Sequence, residues 1–294
     1  MFMLAVSILA LGVTPGTPRS LPGVHGVRPP TPPTYVGPPI CIINTNLSAA
    51  EQSSAKRIAR AVRETLGAAT VIEHYAQITP KRLQEIGPAG VILSGQGTPW
   101  DQYAPAALRG VESVIIQARY PILGICGGHQ LITLAFGGEV GRIRRLCPGV
   151  GYHGCWNESG YTRVSVVATD RILGESGARL SVFESHYDEV KRLPNGFMVT
   201  ASNPTCRVQA MRHCALPVYG VQFHPERWDS AHPAGREVLR RFLLVCMSAR
   251  NSRHAEQGRA AGNGKADRNR RRTKSAFAYE GGDYLPLRRG GADS

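Results

Sequence analysis

Apolar positions along this chain follow two periods in alternation. Short apolar runs, bounded by glycine or polar clusters, read as strands at Ile40–Asn44, Val71–Tyr75, Gly90–Leu93 and Pro121–Ile125. Between them, apolar residues recur at helical spacing. Ala55, Ile58, Val62 and Leu66 mark one helix, with Ser48 and Glu51 in the pattern of a capping box at its start. Further helices are expected over Ala106–Ala118 and from Gln130 to Phe136. Strands and helices alternating at this spacing predict an α/β fold: a parallel sheet covered on both faces. The second half changes character. Thr162–Ala168, Leu180–Glu184, Phe197–Ala201 and Val208–Met211 read as strands joined by turns, and Val218–Phe223 as one more. A closing helix, Ala234–Ser248, carries Val238, Leu239, Phe242 and Leu243 on its apolar side. No internal repeat and no membrane-spanning run is found.

The ends differ from this core. Residues 1–13 are apolar but too short to span a bilayer as a helix. They have the look of a signal-peptide core without a basic residue ahead of it. A weak export signal, a flexible extension and upstream sequence from a wrong start site remain the three readings. Residues 14–39 hold nine prolines and read as an extended, disordered linker. The folded domain is therefore expected over residues 40–248. The formal net charge of +14 is partly concentrated beyond it, where eleven Lys or Arg stand against five Asp or Glu from residue 249 onward. The cluster Arg268, Arg270, Arg271, Arg272 and Lys274 lies in Gly/Ala/Asn-rich sequence. A solvated, disordered tail is expected there, with no nucleic-acid and no membrane partner.

Seven cysteines, an odd count with irregular spacing and no CxxC, argue against a disulfide framework and for a reducing compartment. Cys147, His153 and Cys155 match no closed zinc pattern and are read as scattered thiols. The cytoplasm is the expected location; export is the alternative if residues 1–13 act as a signal.

The chemistry is concentrated in three loops that follow apolar strands. At Pro121–Gln130 a strand ends in Cys126, flanked by glycines, and a helix follows. A nucleophile on such a turn is held exposed at the carboxyl edge of the sheet. The helix N-terminus favours the thiolate, and the amide of Gly127 would point at a carbonyl under attack. At residues 218–226 another strand delivers His224 and Glu226. Residues two apart in extended chain point the same way, so Glu226 can hold His224 while both face Cys126. At residues 91–99 a third strand ends in Ser-Gly-Gln-Gly-Thr-Pro, whose amides could supply a second oxyanion donor.

Taken together, these motifs resemble those of the class I glutamine amidotransferases. Gly-Ile-Cys-Gly-Gly-His-Gln looks like the family's GxCxGxQ motif, Gly-Val-Gln-Phe-His-Pro-Glu like its terminal His-x-Glu, and the Ser-Gly-Gln-Gly-Thr-Pro loop like its SGGP. Ser185–Asp188 stands where the family has a glutamine-pocket loop. The run Phe183–Glu226 is most similar to the glutaminase part of GMP synthases. The resemblance implies a flavodoxin-like, doubly wound and mostly parallel sheet. It implies Cys126 as nucleophile on the glutamine side-chain amide, His224 as base and acid, and Glu226 as its orienting group. It implies substrate contacts from Gly95, Gln96, Gly97, Gly127 and Gln130, and from Ser185, His186 and Tyr187. Gln96 replaces the family's second loop glycine and Gly97 its proline. The oxyanion donor is thus either the Gln96 amide or, after a one-residue slip, that of Gly97.

No metal and no organic cofactor is implied. The chain carries no second domain able to use ammonia, so a synthetase-type partner subunit is expected to receive it. Two alternatives stand beside this reading: a γ-glutamyl hydrolase with the same triad, and a non-catalytic binding module. His129 occupies a variable motif position and is read as packing or surface. His186 and Asp188 have the spacing of a second dyad but are read as pocket-lining or structural. Trp100, Tyr103, Trp156 and Trp228 are candidates to ring the mouth of the site. Residues 144–161 match no family motif and are expected to shape that mouth or meet a partner.

Overall fold

The computed structural model describes residues 35–144 and 151–251. The readings made on residues 1–34 and on nearly all of the basic tail, together with Cys147, lie outside the described residues.

The first half forms β1 (Ile40–Asn44), α1 (Ser53–Leu66), β2 (Thr70–His74), α2 (Pro80–Ile86), β3 (Gly90–Leu93), α3 (Pro105–Gln117), β4 (Ile122–Ile125) and α4 (Gly127–Ala135). The second half forms β5 (Glu139–Arg142), β6 (Glu158–Val166), β7 (Arg179–His186), β8 (Asp188–Arg192), β9 (Phe197–Ser202), β10 (Ala210–His213) and β11 (Val218–Val221). A last helix, α5, covers residues 234–251.

Nine strands form one sheet in the order β2-β1-β3-β4-β11-β10-β9-β6-β7. From β2 to β11 neighbouring strands run parallel. From β11 to β7 they run antiparallel. A separate ribbon pairs β5 with β8. This is the expected doubly wound α/β architecture, extended along one edge.

Period two along each parallel strand divides the core between the two faces of the sheet. Ile40, Ile42, Leu123 and Ile125 pack with Ile58 and Val62 of α1 and with Leu239 and Phe242 of α5. Cys41, Ile43, Val91 and Ile122 pack with Leu83 of α2, Val111 and Ile115 of α3 and Leu131 of α4. Burying each large apolar side chain contributes roughly 1.5–3 kcal/mol.

Local signals explain several boundaries. α1 ends where Gly67, at φ 71°, takes the left-handed conformation that closes a helix. It begins later than the capping-box reading placed it, at Ser53 after Gln52. Ser48 and Glu51 instead close a turn, and the Glu51 carboxylate accepts the Ser53 amide at 2.8 Å. The short helix α2 escaped the sequence reading because a single buried residue, Leu83, carries its apolar face. β5 and β8 escaped it because both are largely polar. α4 begins at Gly127, three residues ahead of expectation, and β10 two residues behind.

Cys155 is disulfide-bonded, which corrects its reading as a scattered thiol. Bridging depends on the separation of two Cα atoms in space, which sequence spacing does not reveal. Among the described residues, no helix is long and apolar enough to cross a membrane.

Candidate active site

β4 and β11 are direct neighbours, paired from Val218↔Ile122 to Val221↔Ile125. Their carboxyl ends therefore release the next residues side by side, at the edge where open α/β sheets place ligands. Cys126 follows β4 at once and is only 4% exposed. Its backbone sits at φ 51°, ψ −107°, a left-handed conformation that is unfavourable for any residue with a side chain. The turn is held from both sides: the Cys126 amide donates to the Val221 carbonyl at 2.8 Å, and the Gln130 amide to the Cys126 carbonyl at 3.1 Å. Glycine at 128 allows the close approach behind it. A Cβ there would lie 2.5 Å from the carbonyl oxygen of Leu93.

His224 comes three residues after β11. Its amide donates to the Phe183 carbonyl at 2.7 Å, which ties this tip to β7. Its Nδ1 lies 2.8 Å from Glu226 Oε1, and its ring stands close beside the Cys126 side chain, both within 4 Å of where a Gly95 Cβ would be. Burial pushes the imidazole towards neutrality. The Glu226 carboxylate and the Cys126 thiolate outweigh burial and hold its pKa well above the ordinary histidine value. The three side chains thus form one chain of contacts from thiol to imidazole to carboxylate.

The 94–99 loop lies against this chain. A Cβ on Gly95 would stand 3.2 Å from His224 Cε1 and 3.4 Å from Cys126 Cβ, so only glycine leaves the pair undisturbed. Gln96 folds over Gly127: its backbone nitrogen lies 2.9 Å, and its Oε1 2.6 Å, from where a Gly127 Cβ would be. Its Nε2 is buried without a partner. Gly97, in contrast, is exposed and has open space around it. The structure therefore brings Gln96 and Gly127 together at the thiol and leaves Gly97 outside.

Gln130 is buried and fully engaged. Its Oε1 accepts from Trp100 Nε1 at 2.9 Å; its Nε2 donates to the Asp188 carbonyl at 3.0 Å and to Gln222 Oε1 at 3.3 Å. It pins the loop after β3, the start of β8 and the end of β11 around the site. Ser185 is exposed, and its carbonyl oxygen lies 3.8 Å from Cys126 Sγ. His186 is buried, and Tyr187 stacks on Tyr152 with centroids 4.6 Å apart.

Tyr152 belongs to the stretch that matched no motif. Its hydroxyl donates to Asp188 Oδ2 at 2.7 Å, and Arg142 lies over its ring while pairing with Asp188 Oδ1. Burial, with the Asp188 carboxylate next, raises its phenol pKa far above the usual range. The sequence reading missed Arg142 and Tyr152, whose partners are brought near only by the β5–β8 ribbon. The suspected His186–Asp188 dyad does not form, since His186 Nδ1 meets the Asp188 backbone carbonyl instead. His129 is fully buried packing, kept neutral by burial with a pKa lowered to about 3. Of the four aromatics, Trp100 reaches the site through Gln130. Tyr103 is buried with its hydroxyl on the Thr45 carbonyl, and Trp156 and Trp228 carry Arg144 and Arg236 over their rings.

A family model described as glutamine amidotransferase class-I matches residues 47–246. The chain is 44% identical over 169 residues to the glutamine-hydrolysing GMP synthase subunit of Pyrococcus abyssi, covering 56% of this chain and 79% of that protein. It is 41% identical over 157 residues to the subunit of the same name from Methanocaldococcus jannaschii, covering 53% and 73%. A solved structure described as a GMP synthase subunit from Thermoplasma acidophilum aligns with a TM-score of 0.60 and 32% identity. That alignment covers 75% of this chain and 100% of the other.

Proposed function

This chain belongs to the class-I glutamine amidotransferase family, and on that footing we propose that it is a glutamine-hydrolysing subunit of GMP-synthase type, feeding ammonia to a separate synthetase-type subunit. The observation that carries the proposal is the contact chain Cys126–His224–Glu226 at the carboxyl edge of paired strands β4 and β11.

In this reading Cys126 Sγ attacks the side-chain amide carbon of glutamine. The negative charge that develops on the amide oxygen is met by the amides of Gly127 and Gln96. His224, protonated in the ion pair with the thiolate, gives its proton to the amide nitrogen as the C–N bond breaks. Ammonia leaves and a γ-glutamyl thioester remains. Neutral His224 then takes a proton from water, whose oxygen attacks the thioester; glutamate departs and the thiolate returns. Glu226 keeps His224 oriented through both halves. Gly95 leaves room for the reacting group, and Ser185, His186 and Tyr187 form the wall that meets the amino-acid end of the substrate. Gln130 acts behind that wall by holding it together, and Gly97 flanks the loop at the entrance. We place the working domain at residues 40–248 and the protein in the cytoplasm, where glutamine and a nucleotide synthetase are both at hand.

Intact mass after incubation with a glutamine-shaped electrophile tests the reading. A single adduct on the parent protein, absent from Cys126→Ala, is expected, together with ammonia release from L-glutamine. Turnover of γ-glutamyl amines in preference to glutamine would overturn the substrate assignment.

A further inference from the structure

Behind the thiol lies a second buried group of charges. Glu158 on β6 stands directly across from His186 on β7, and Glu184 lies two residues before it on the same face. His186 Nε2 is 3.1 Å from Glu158 Oε2 and 3.3 Å from Glu184 Oε2, and the side chains are 1%, 6% and 0% exposed respectively.

The ring's protonation follows from its partners. Nδ1 faces the Asp188 carbonyl at 2.9 Å, and a carbonyl only accepts. Nε2 faces Glu158 Oε2 at 3.1 Å, and the two Glu158 oxygens already accept from Asn203 Nδ2 at 2.7 Å and Gln209 Nε2 at 3.0 Å, so this group too stands as an acceptor towards the ring. Both ring nitrogens must donate, so the ring is an imidazolium. Burial opposes its charge, but Glu158 and then Glu184 outweigh burial and raise its pKa to about 10.

This group has a direction. The charge on His186 is felt by Cys126, while Glu184 is felt by His224. His186 follows Ser185, whose carbonyl oxygen lies 3.8 Å from Cys126 Sγ, so the imidazolium stands beside the thiol; burial raises the pKa of Glu184, and the charges of His186 and His224 oppose that rise. Two other titratable rings lie nearby: His129 on α4 is kept neutral by burial, and burial with the Asp188 carboxylate holds the Tyr152 phenol neutral. The same three side chains could in principle surround a cation. Amide donors already on Glu158 and a ring protonated at Nε2 leave no free lone pair from His186 for one.

We propose that His186 is a positioning residue held permanently as an imidazolium. With Glu184 it forms a buried pair of opposite polarity to the Cys126–His224 ion pair, widening the pH range over which that ion pair exists. The inference rests on Cys126 and His224 being the reacting pair.

Two measurements test it without depending on the substrate. In protein labelled with [15N]histidine, both ring nitrogens of His186 give protonated shifts from pH 6 to pH 9; a neutral tautomer in that range would overturn the proposal. In the pH profile of Cys126 alkylation by iodoacetamide, His186→Gln moves the acid limb up by about one unit, the low end of the effect of a nearby opposite charge. Glu184→Gln instead moves the His224 ring titration down by a similar amount. Unmoved profiles in both variants, or a stoichiometric metal ion in the purified protein by elemental analysis, would refute it. If His186→Gln does not fold, the labelled parent and Glu184→Gln still decide. Absence of an adduct with a glutamine-shaped electrophile, with these titrations as described, would sink the substrate assignment and leave this inference standing.

Discussion

The two halves of the sheet do different work. In the parallel half, β1, β3, β4 and β11 are buried on both faces along their whole length, while β2 at the edge is half-buried. The antiparallel half is buried on one face. Along β6, Val164 and Val166 are buried while Ser159, Arg163 and Ser165 are exposed. The reacting side chains hang from the ends of the first half, where strands give rigid placement. The second half supplies the wall and the buried charges that tune them. A strand covered on both sides has no room for ionised groups, whereas a strand with one wet face can turn single charges inward as cross-strand pairs.

The contrast can be broken most severely at the thiol. Cys126→Ala is expected to lower kcat for glutamine by about 10⁴- to 10⁶-fold while leaving the melting temperature near that of the parent. Calorimetry beside the assay checks both. Next is the parallel core: Leu123→Ala, fully buried in β4, is expected to destabilise by ~2–5 kcal/mol in urea unfolding. If it costs no more than a surface change, the packing described for this half is wrong.

The charged group in the other half shows itself through pH. The pKa of His186 is raised in the folded protein to about 10. Its stabilisation is therefore complete below the ordinary histidine value of about 6.5 and is lost as pH rises towards about 10. Parent stability should fall across that window, and the His186→Gln variant should lose that slope. A smaller effect is expected at the mouth. Tyr152→Phe removes one hydrogen bond to Asp188, worth about 1 kcal/mol, and should raise KM for glutamine several-fold with little change in kcat. Smallest of all, Ser165→Ala on the exposed face of β6 should stay within about 0.5 kcal/mol of the parent.

This division also decided what could be read from the sequence. The parallel half was legible because its signals are local: apolar runs, helical spacing, and glycines on each side of Cys126. His224 and Glu226 were legible from their motif, but the strand ends at Val221 and a 3₁₀ turn at Pro225–Arg227, not the extended chain expected, brings them together. Glu158 and Glu184 were not legible, since period two on a half-exposed strand gives a charged residue no mark to say which way it faces. Their pairing is fixed only by the β6–β7 register. Arg142 and Tyr152 were hidden for a similar reason, because they meet through Asp188 and the β5–β8 ribbon. Gln130 was recognised, but its protein partners were not legible, as its three bonds join segments far apart in the chain.

The backbone of Cys126 sets fold and chemistry at odds. A residue with a side chain held at φ 51° costs the fold about 1–3 kcal/mol that glycine would not. Replacing Cys126 by glycine should therefore yield a more heat-resistant protein with no chemistry. Genetic drift without selection for ammonia release would run downhill in free energy at this position, so cysteine persists there only as long as its reaction is needed.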